Sequence, residues 1–311
     1  MFVAIALAAF VAMLHPAMAD DTLKVAVADV HAFENQPLAA REIFKKHGIV
    51  LAIISAHGGA GALQAVIGGS ADIAIGVDTE MALRAFANGV PIRAVLPNFT
   101  GVSDLYWYVK SESSITYLAG AGDAALAYST NGSLTHRIVT DWARELKIAG
   151  KPVATGSPSA TLLDVMTGKV AVGFGRAPFG LKEVAEGKIR IIAKGADMAA
   201  PKSRTWRVSV VDAETLQKKK EVLGRFVLAW REAADALYAN ENARKAYAQA
   251  VNVAPDVIEN ALRDYFPKSA LQTATVSGLD EIASDAVKQR ILAALLPKER
   301  LSEFVAVPPR P

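Results

Sequence analysis

The 311-residue chain contains no cysteine, and that absence removes several kinds of chemistry. A disulfide framework, a thiolate nucleophile, a cysteine-ligated metal and a lipid-modified N-terminal cysteine are all excluded. Histidine is sparse as well. The five residues, His15, His31, His47, His57 and His136, are dispersed, and none forms the H-x-x-x-H or H-E-x-x-H spacing that sets two imidazoles on one helix face for zinc. No metal site and no cofactor is implied. Charge of one sign is also missing in bulk: 34 basic residues face 31 acidic ones, for a net charge of +3. The one dense basic run, Lys218-Lys219-Lys220, is followed at once by Glu221 and reads as a solvated helix face. Nucleic acid is therefore not an expected partner. The G-x-S-x-G elbow of a hydrolase is absent, and the glycine loop at Gly58 lacks the G-x-G-x-x-G order of a dinucleotide site.

A hydrophobic fraction of 52% against a charged fraction of 21% describes a folded chain, long enough for two domains. Past the N-terminus no apolar run reaches the ~20 residues that a membrane-crossing helix needs. The N-terminus itself reads as an address. Phe2 to Leu14 is apolar, and Ala17-Met18-Ala19 fits a small-x-small cleavage site just before Asp20-Asp21. Residues 1–19 are expected to be a signal peptide. With no cysteine to carry a lipid, the mature chain is expected to be a soluble periplasmic protein, not embedded in the membrane.

Strands and helices alternate from there. Leu23 to Ala28, Val50 to Ile54, Asp72 to Ile75 and Ile92 to Leu96 are short apolar runs of strand type. Helical spacing appears through Leu38, Ile43 and Phe44, through Leu63 to Ile67, and through Met81 to Phe86. At the junctions stand Gly58-Gly59-Ala60-Gly61 and Gly76-Val77-Asp78-Thr79. Such alternation implies a parallel sheet, with ligands gathering beyond the carboxyl ends of its strands. The glycines let a ligand approach backbone amides closely.

The aromatic strand Leu105 to Lys110 looks like a first crossover into a second domain, and Arg204 to Val211 looks like the return. Between them an apolar strand ending at Tyr128 breaks into Ser129-Thr130-Asn131-Gly132-Ser133, and a helix follows through Leu134, Ile138 and Trp142. Ser157-Pro158-Ser159 caps another helix, and Val170 to Phe174 and Ile189 to Ala193 read as strands. After Glu214 the pattern is helical, with Asn240 and Pro255 at helix starts and a last amphipathic helix expected over Ile282 to Leu296. Two crossing strands make a hinge.

Ser129 to His136, Leu105 to Ser111, and Pro178-Phe179-Gly180-Leu181 through Glu186 to Ala193 resemble the periplasmic substrate-binding proteins of nitrate, sulfonate and taurine-type ABC transporters. That family overlaps with thiamine-pyrimidine synthase-like proteins. The resemblance implies an α/β type II periplasmic-binding-protein fold with two lobes, a two-strand hinge and C-terminal helices packed on lobe 1. The corresponding spans are 20–107 plus 208–311 for lobe 1 and 108–207 for lobe 2. It implies a receptor rather than an enzyme, acting as a monomer with a small-molecule ligand and permease subunits as partners. An enzyme on the same fold and a ligand-sensing subunit of a signalling receptor are the alternatives. On the lobe 1 side the resemblance draws the cleft from the loops around His31, around His57 to Gly61, which includes Gly58, Gly59 and Ala60, and around Val77 to Thr79, which includes Asp78. Ser129, Thr130, Asn131, Gly132 and Ser133, with Arg176 to Phe179, would face them.

Binding chemistry narrows the ligand. A micromolar affinity corresponds to about −8 kcal/mol, and a helix terminus supplies only ~0.3–1 kcal/mol toward an anion near the surface. Charge-assisted hydrogen bonds at ~1.5–3 kcal/mol each, from Arg176 or Arg207, would narrow the gap. Stacking on Phe33, Phe179 or Trp206 would add apolar burial. The expected ligand is a small organic anion: a sulfonate, a carboxylate or an aromatic acid.

Overall fold

A computed structural model of the protein describes residues 20–28, 33–56, 58–197, 203–271 and 274–308. The expected signal peptide, His31 and His57 lie outside the described residues, as does the side chain of Phe33.

β1 (Asp21–Val27), β2 (Ile49–Ser55) and β3 (Ile73–Asp78) form on aliphatic runs. β3 is buried on both faces, as its unbroken apolar sequence predicts, whereas β1 leaves Lys24 exposed and β2, at the sheet edge, leaves Val50 exposed. β1 lies between the other two, parallel to both. A 3-10 segment, Phe33–Ala39, and α1 (Arg41–Lys46) divide what the spacing suggests is one helix. Pro37 sits inside that segment and has no amide to extend an α-helical ladder. α2 (Gly59–Ile67) precedes β3; α3 (Thr79–Ala87) and β4 (Ile92–Thr100) follow it.

The second lobe begins with β5 (Leu105–Lys110), then β6 (Ala127–Tyr128), α4 (Leu134–Glu145), β7 (Val153–Ala154), α5 (Pro158–Met166), β8 (Gly173–Arg176), α6 (Leu181–Ala185) and β9 (Ile189–Lys194). β8, β5 and β9 form an antiparallel sheet with β5 in the middle, and β6 pairs in parallel with β7. β10 (Thr205–Asp212) then returns and inserts antiparallel between β3 and β4, giving the order β2-β1-β3-β10-β4. The first sheet is thus mixed rather than wholly parallel, because the returning chain enters it from the opposite lobe. β5 lies wholly in the second sheet and β10 wholly in the first, so the chain changes lobes at 101–104 and again at 195–204. The crossovers pass backbone to backbone. A Cβ added to Gly195 would lie 2.1 Å from the Val102 carbonyl oxygen, a contact that only glycine permits.

Among the described residues the α-helices α7 (Ala213–Lys218), α8 (Lys220–Ala239), α9 (Glu241–Ala250), α10 (Pro255–Tyr265), α11 (Leu279–Lys288) and α12 (Lys298–Phe304) follow. Asn240 caps α9 by accepting from Asn242 N at 2.8 Å, and Pro255 opens α10. The helix expected over Ile282 to Leu296 ends at Lys288. Arg290 takes a left-handed φ of 60°, and the amides of Ile291 and Leu292 fold back onto the Ala286 carbonyl, closing the helix end. α8 packs on lobe 1 through Phe226, whose ring lies 5.4 Å from that of Phe44, and α12 does so through Phe304, 5.4 Å from Phe86. Each buried ring contributes about 1.5–3 kcal/mol. α10 instead reaches the other lobe, with Tyr265 lying 6.0 Å from Tyr106. Among the described residues no helix is long and apolar enough to cross a membrane.

Candidate ligand-binding site

Four helices begin at the cleft between the lobes, two from each side. α2 starts at Gly58 and α3 at Asp78; α4 starts at Ser133 and α5 at Ser157. Each start leaves amides without intrahelical partners and carries the positive end of a helix dipole. The cavity they enclose has a volume of about 50 Å³. Lobe 1 lines it with Ala28, Gly58, Gly59, Gly76 and Asp78. Lobe 2 contributes Ser129, Thr130 and Ser133 from one turn, Gly156, Ser157 and Pro158 from another, and Phe174 with Arg176 from β8. The lobes come close here: a Cβ on Gly58 would stand 3.8 Å from Thr130 Cγ2.

The two sides handle their helix starts differently. α2 has no side-chain cap, and Gly58 adopts φ 116° so that the chain can turn into the helix. Gly61 is held against the end of β2, where a Cβ would meet the Ala56 carbonyl oxygen at 1.9 Å. Lobe 2 caps its own helices. Ser133 Oγ accepts from His136 N and Ser157 Oγ from Ala160 N, each at 3.2 Å. Ser129, Ser133 and Thr135 exchange hydrogen bonds among their hydroxyls at 2.9–3.0 Å.

Arg176 brings positive charge to the wall. Behind it Asp104 is fully buried and takes a bidentate pair from Arg207, both bonds 2.7 Å long. Arg176 Nε lies 3.6 Å from the same carboxylate. One carboxylate thus faces two guanidiniums, and Arg176 carries the second of them to the cleft.

Of the expected site residues, the cavity gathers Gly58, Gly59, Asp78, Ser129, Thr130, Ser133 and Arg176. The others lie elsewhere. Thr79 is fully buried and donates to the Thr205 carbonyl at 2.7 Å. Ala60 is exposed outside the cavity wall. Asn131 points away, its Oδ1 accepting from the Tyr128 hydroxyl at 2.5 Å. Gly132 lines a smaller neighbouring void, and its amide donates to His136 Nδ1 at 3.0 Å. Burial lowers the pKa of His136 from its usual value, which suits that acceptor role. The Phe179 carbonyl accepts from the Tyr106 hydroxyl at 2.5 Å, away from the cavity. Trp206 borders the smaller void, with the guanidiniums of Arg137 and Arg204 lying over its ring at 5.2 and 5.7 Å from the centroid. Arg207 is fully buried on Asp104, with its guanidinium 4.5 Å from the Phe99 ring centre. Ala28, Gly76, Gly156, Ser157, Pro158 and Phe174 are additions. Ser157-Pro158 repeats the strand–turn–helix device of the other junctions, and that repetition was the signal available for it. Among the described residues no group of acidic, histidine or cysteine side chains could hold a metal ion.

A mixed sheet in the order β2-β1-β3-β10-β4, two crossovers and a cleft at the strand ends define a periplasmic-binding-protein fold of type II. Solved structures share it along nearly the whole chain. The alkanesulfonate-binding protein SsuA from Xanthomonas axonopodis pv. citri, bound to MOPS, superposes with a TM-score of 0.74 at 16% identity, covering 92% of this chain and 98% of that one. The periplasmic nitrate-binding protein NrtA from Synechocystis PCC 6803 gives 0.66 at 12% identity, over 91% and 84% of the two chains. A Candida albicans protein, the CA3427 gene product, described as having the generic periplasmic binding protein fold, gives 0.69 at 17% identity over 93% and 97%. No protein-family model matches the sequence, and no curated protein does. The sulfonate- and nitrate-binding neighbours are of the kind the sequence motifs resemble.

Proposed function

We propose that the protein is an extracytoplasmic solute-binding receptor. It captures a small organic anion between its lobes and delivers it to an ABC permease. In this reading residues 1–19 direct export, and the chain from Asp20 onward works as a periplasmic monomer. Lobe 1 is formed by the chain up to 100 and from 205 onward, and lobe 2 by 105–194. The boundaries thus fall at the crossovers 101–104 and 195–204 rather than after 107 and 207, because β5 and β10 each stay whole in one sheet.

The observation that carries the reading is Arg176 in a cavity ringed by helix starts, two of which, those of α2 and α3, have no side-chain cap of their own. An acidic head would accept from the first amides of α2 and from Arg176. Charge-assisted bonds of that kind contribute about 1.5–3 kcal/mol each. The enclosed space suits a head rather than a whole large ligand, since one water needs roughly 10–15 Å³ and the cavity offers about 50 Å³. An apolar body would lie on Phe174 and Pro158. Thr79, Asn131, Phe179, Trp206 and Arg207 serve as supports behind or beside the cavity.

The test is a thermal-shift and calorimetric screen of sulfonates, carboxylates and nitrate against neutral amides and amines of equal size. The expected outcome is binding by organic anions alone. Tight binding only to nitrate, or to amines, would contradict the ligand class. Turnover of a bound compound would favour an enzyme instead.

A further inference from the structure

α3 and α4 meet start to start across the cleft, and a cap has passed from one to the other. Asp78 occupies the N-cap of α3, where a carboxylate ordinarily accepts from the second or third amide of its own helix. It makes no such bond. Its Oδ2 accepts from Leu134 N at 2.8 Å, the first residue of α4 in the opposite lobe. Two residues along α3, Glu80 Oε2 accepts from Arg137 Nη1 at 2.5 Å. These two side chains are only 13% and 17% exposed. The Arg137 guanidinium also lies over Trp206 and stands 3.7 Å from Asp285. The contacts enclose a void of about 10 Å³ beside the ligand cavity, and Asp78 and Ser133 border both.

We propose that Asp78 and Glu80, with the Leu134 amide and Arg137, form an interlobe latch that draws the cleft shut before ligand arrives. The part of this concerning ligand retention rests on the receptor reading; the latch itself does not. Glu80 and Arg137 act as positioning residues, since neither lines the ligand cavity. A carboxylate at a helix start is favourable, and a shielded ion pair is less screened than a surface one. Desolvation opposes both. Burial raises the Glu80 pKa above its ordinary value even against the pull of Arg137. Attraction and desolvation therefore work against each other at this contact, which suits a latch that must also open.

The absence of native cysteine makes the test direct. Cysteines introduced as Leu163→Cys on α5 and Leu295→Cys beside lobe 1, at positions 63% and 60% exposed, would carry donor and acceptor dyes. Single-molecule energy transfer then reads the interlobe distance in ligand-free protein. Asp78→Ala, Glu80→Gln and Arg137→Gln are each expected to shift the closed-to-open ratio by about tenfold toward open, between the effects of surface and fully buried pairs. Because Glu80 and Arg137 act on one another, the double variant should open no further than Arg137→Gln alone. Single variants with the wild-type distribution, or a double variant whose effect is the sum of the two, would overturn the latch. No ligand enters the assay. A failed latch would leave the receptor reading standing, and variants that open as expected in a protein that binds no small anion would remove the receptor but keep the latch.

Discussion

The two walls of the cleft are built from opposite materials. On lobe 1, Gly58, Gly59 and Gly61 start α2 without a side-chain cap. On lobe 2, Ser129, Ser133 and Thr135 hydrogen-bond to one another, and Ser133 and Ser157 cap their own helices. In sequence the hydroxyl-rich turn looks the more suited to hold a ligand. The hydrogen bonds of that turn support our proposal of the opposite weighting. Hydroxyls that satisfy each other are preorganised but engaged, whereas at the start of α2 the Gly58 amide is held by the Ala28 carbonyl and no side chain caps the helix amides that follow. Arg176 is the exception on lobe 2, a long side chain brought to the wall from the end of β8, beside Asp104 of the crossover.

Variants that separate support from contact would break or sharpen this contrast. Arg207→Met should do the most damage. It leaves the Asp104 carboxylate fully buried with only Arg176 nearby, at a cost of about 3–5 kcal/mol in chemical denaturation. Gly61→Ala comes next. Its Cβ would press on the Ala56 carbonyl, and overpacking of that sort costs about 1–3 kcal/mol; an unchanged denaturation midpoint would mean that the α2 start is free to move. Ser129→Ala should do least. With its hydroxyl bonded inside the lobe, the loss is about 0.5–1.5 kcal/mol of stability, and calorimetry should find the ligand affinity little changed. A tenfold loss of affinity with full stability would return the hydroxyls to the ligand.

What was legible in the sequence follows the range of the interactions. The junction at Gly58 to Gly61 and the caps Ser157 and Asn240 are local, and so are the apolar runs that became β1 to β5; each could be read within a few residues. The partners of the charged groups could not. Asp104 and Arg207 are 103 residues apart and Asp78 and Leu134 are 56 apart, and nothing in the spacing pairs them. Arg207 accordingly looked like a ligand donor when it is the hinge's buried cation. Thr79 looked like part of the cleft because it adjoins Asp78, yet it faces β10. Phe174 reads in sequence simply as the end of a core strand, and only the fold turns it to the cavity. The spacing extends the last helix too far because Ile291 and Leu292 continue the apolar pattern through a left-handed turn at Arg290.

Calorimetric titration of wild-type protein and Arg176→Gln with the best organic anion from the screen tests the account most directly. Removing one charge-assisted partner, worth about 1.5–3 kcal/mol, should weaken binding by roughly 10- to 150-fold, with a smaller loss of stability than Arg207→Met because Asp104 keeps its bidentate partner. Equal affinity in the two proteins, or equally tight binding of a neutral isostere by the wild type, would contradict an anion held at this wall.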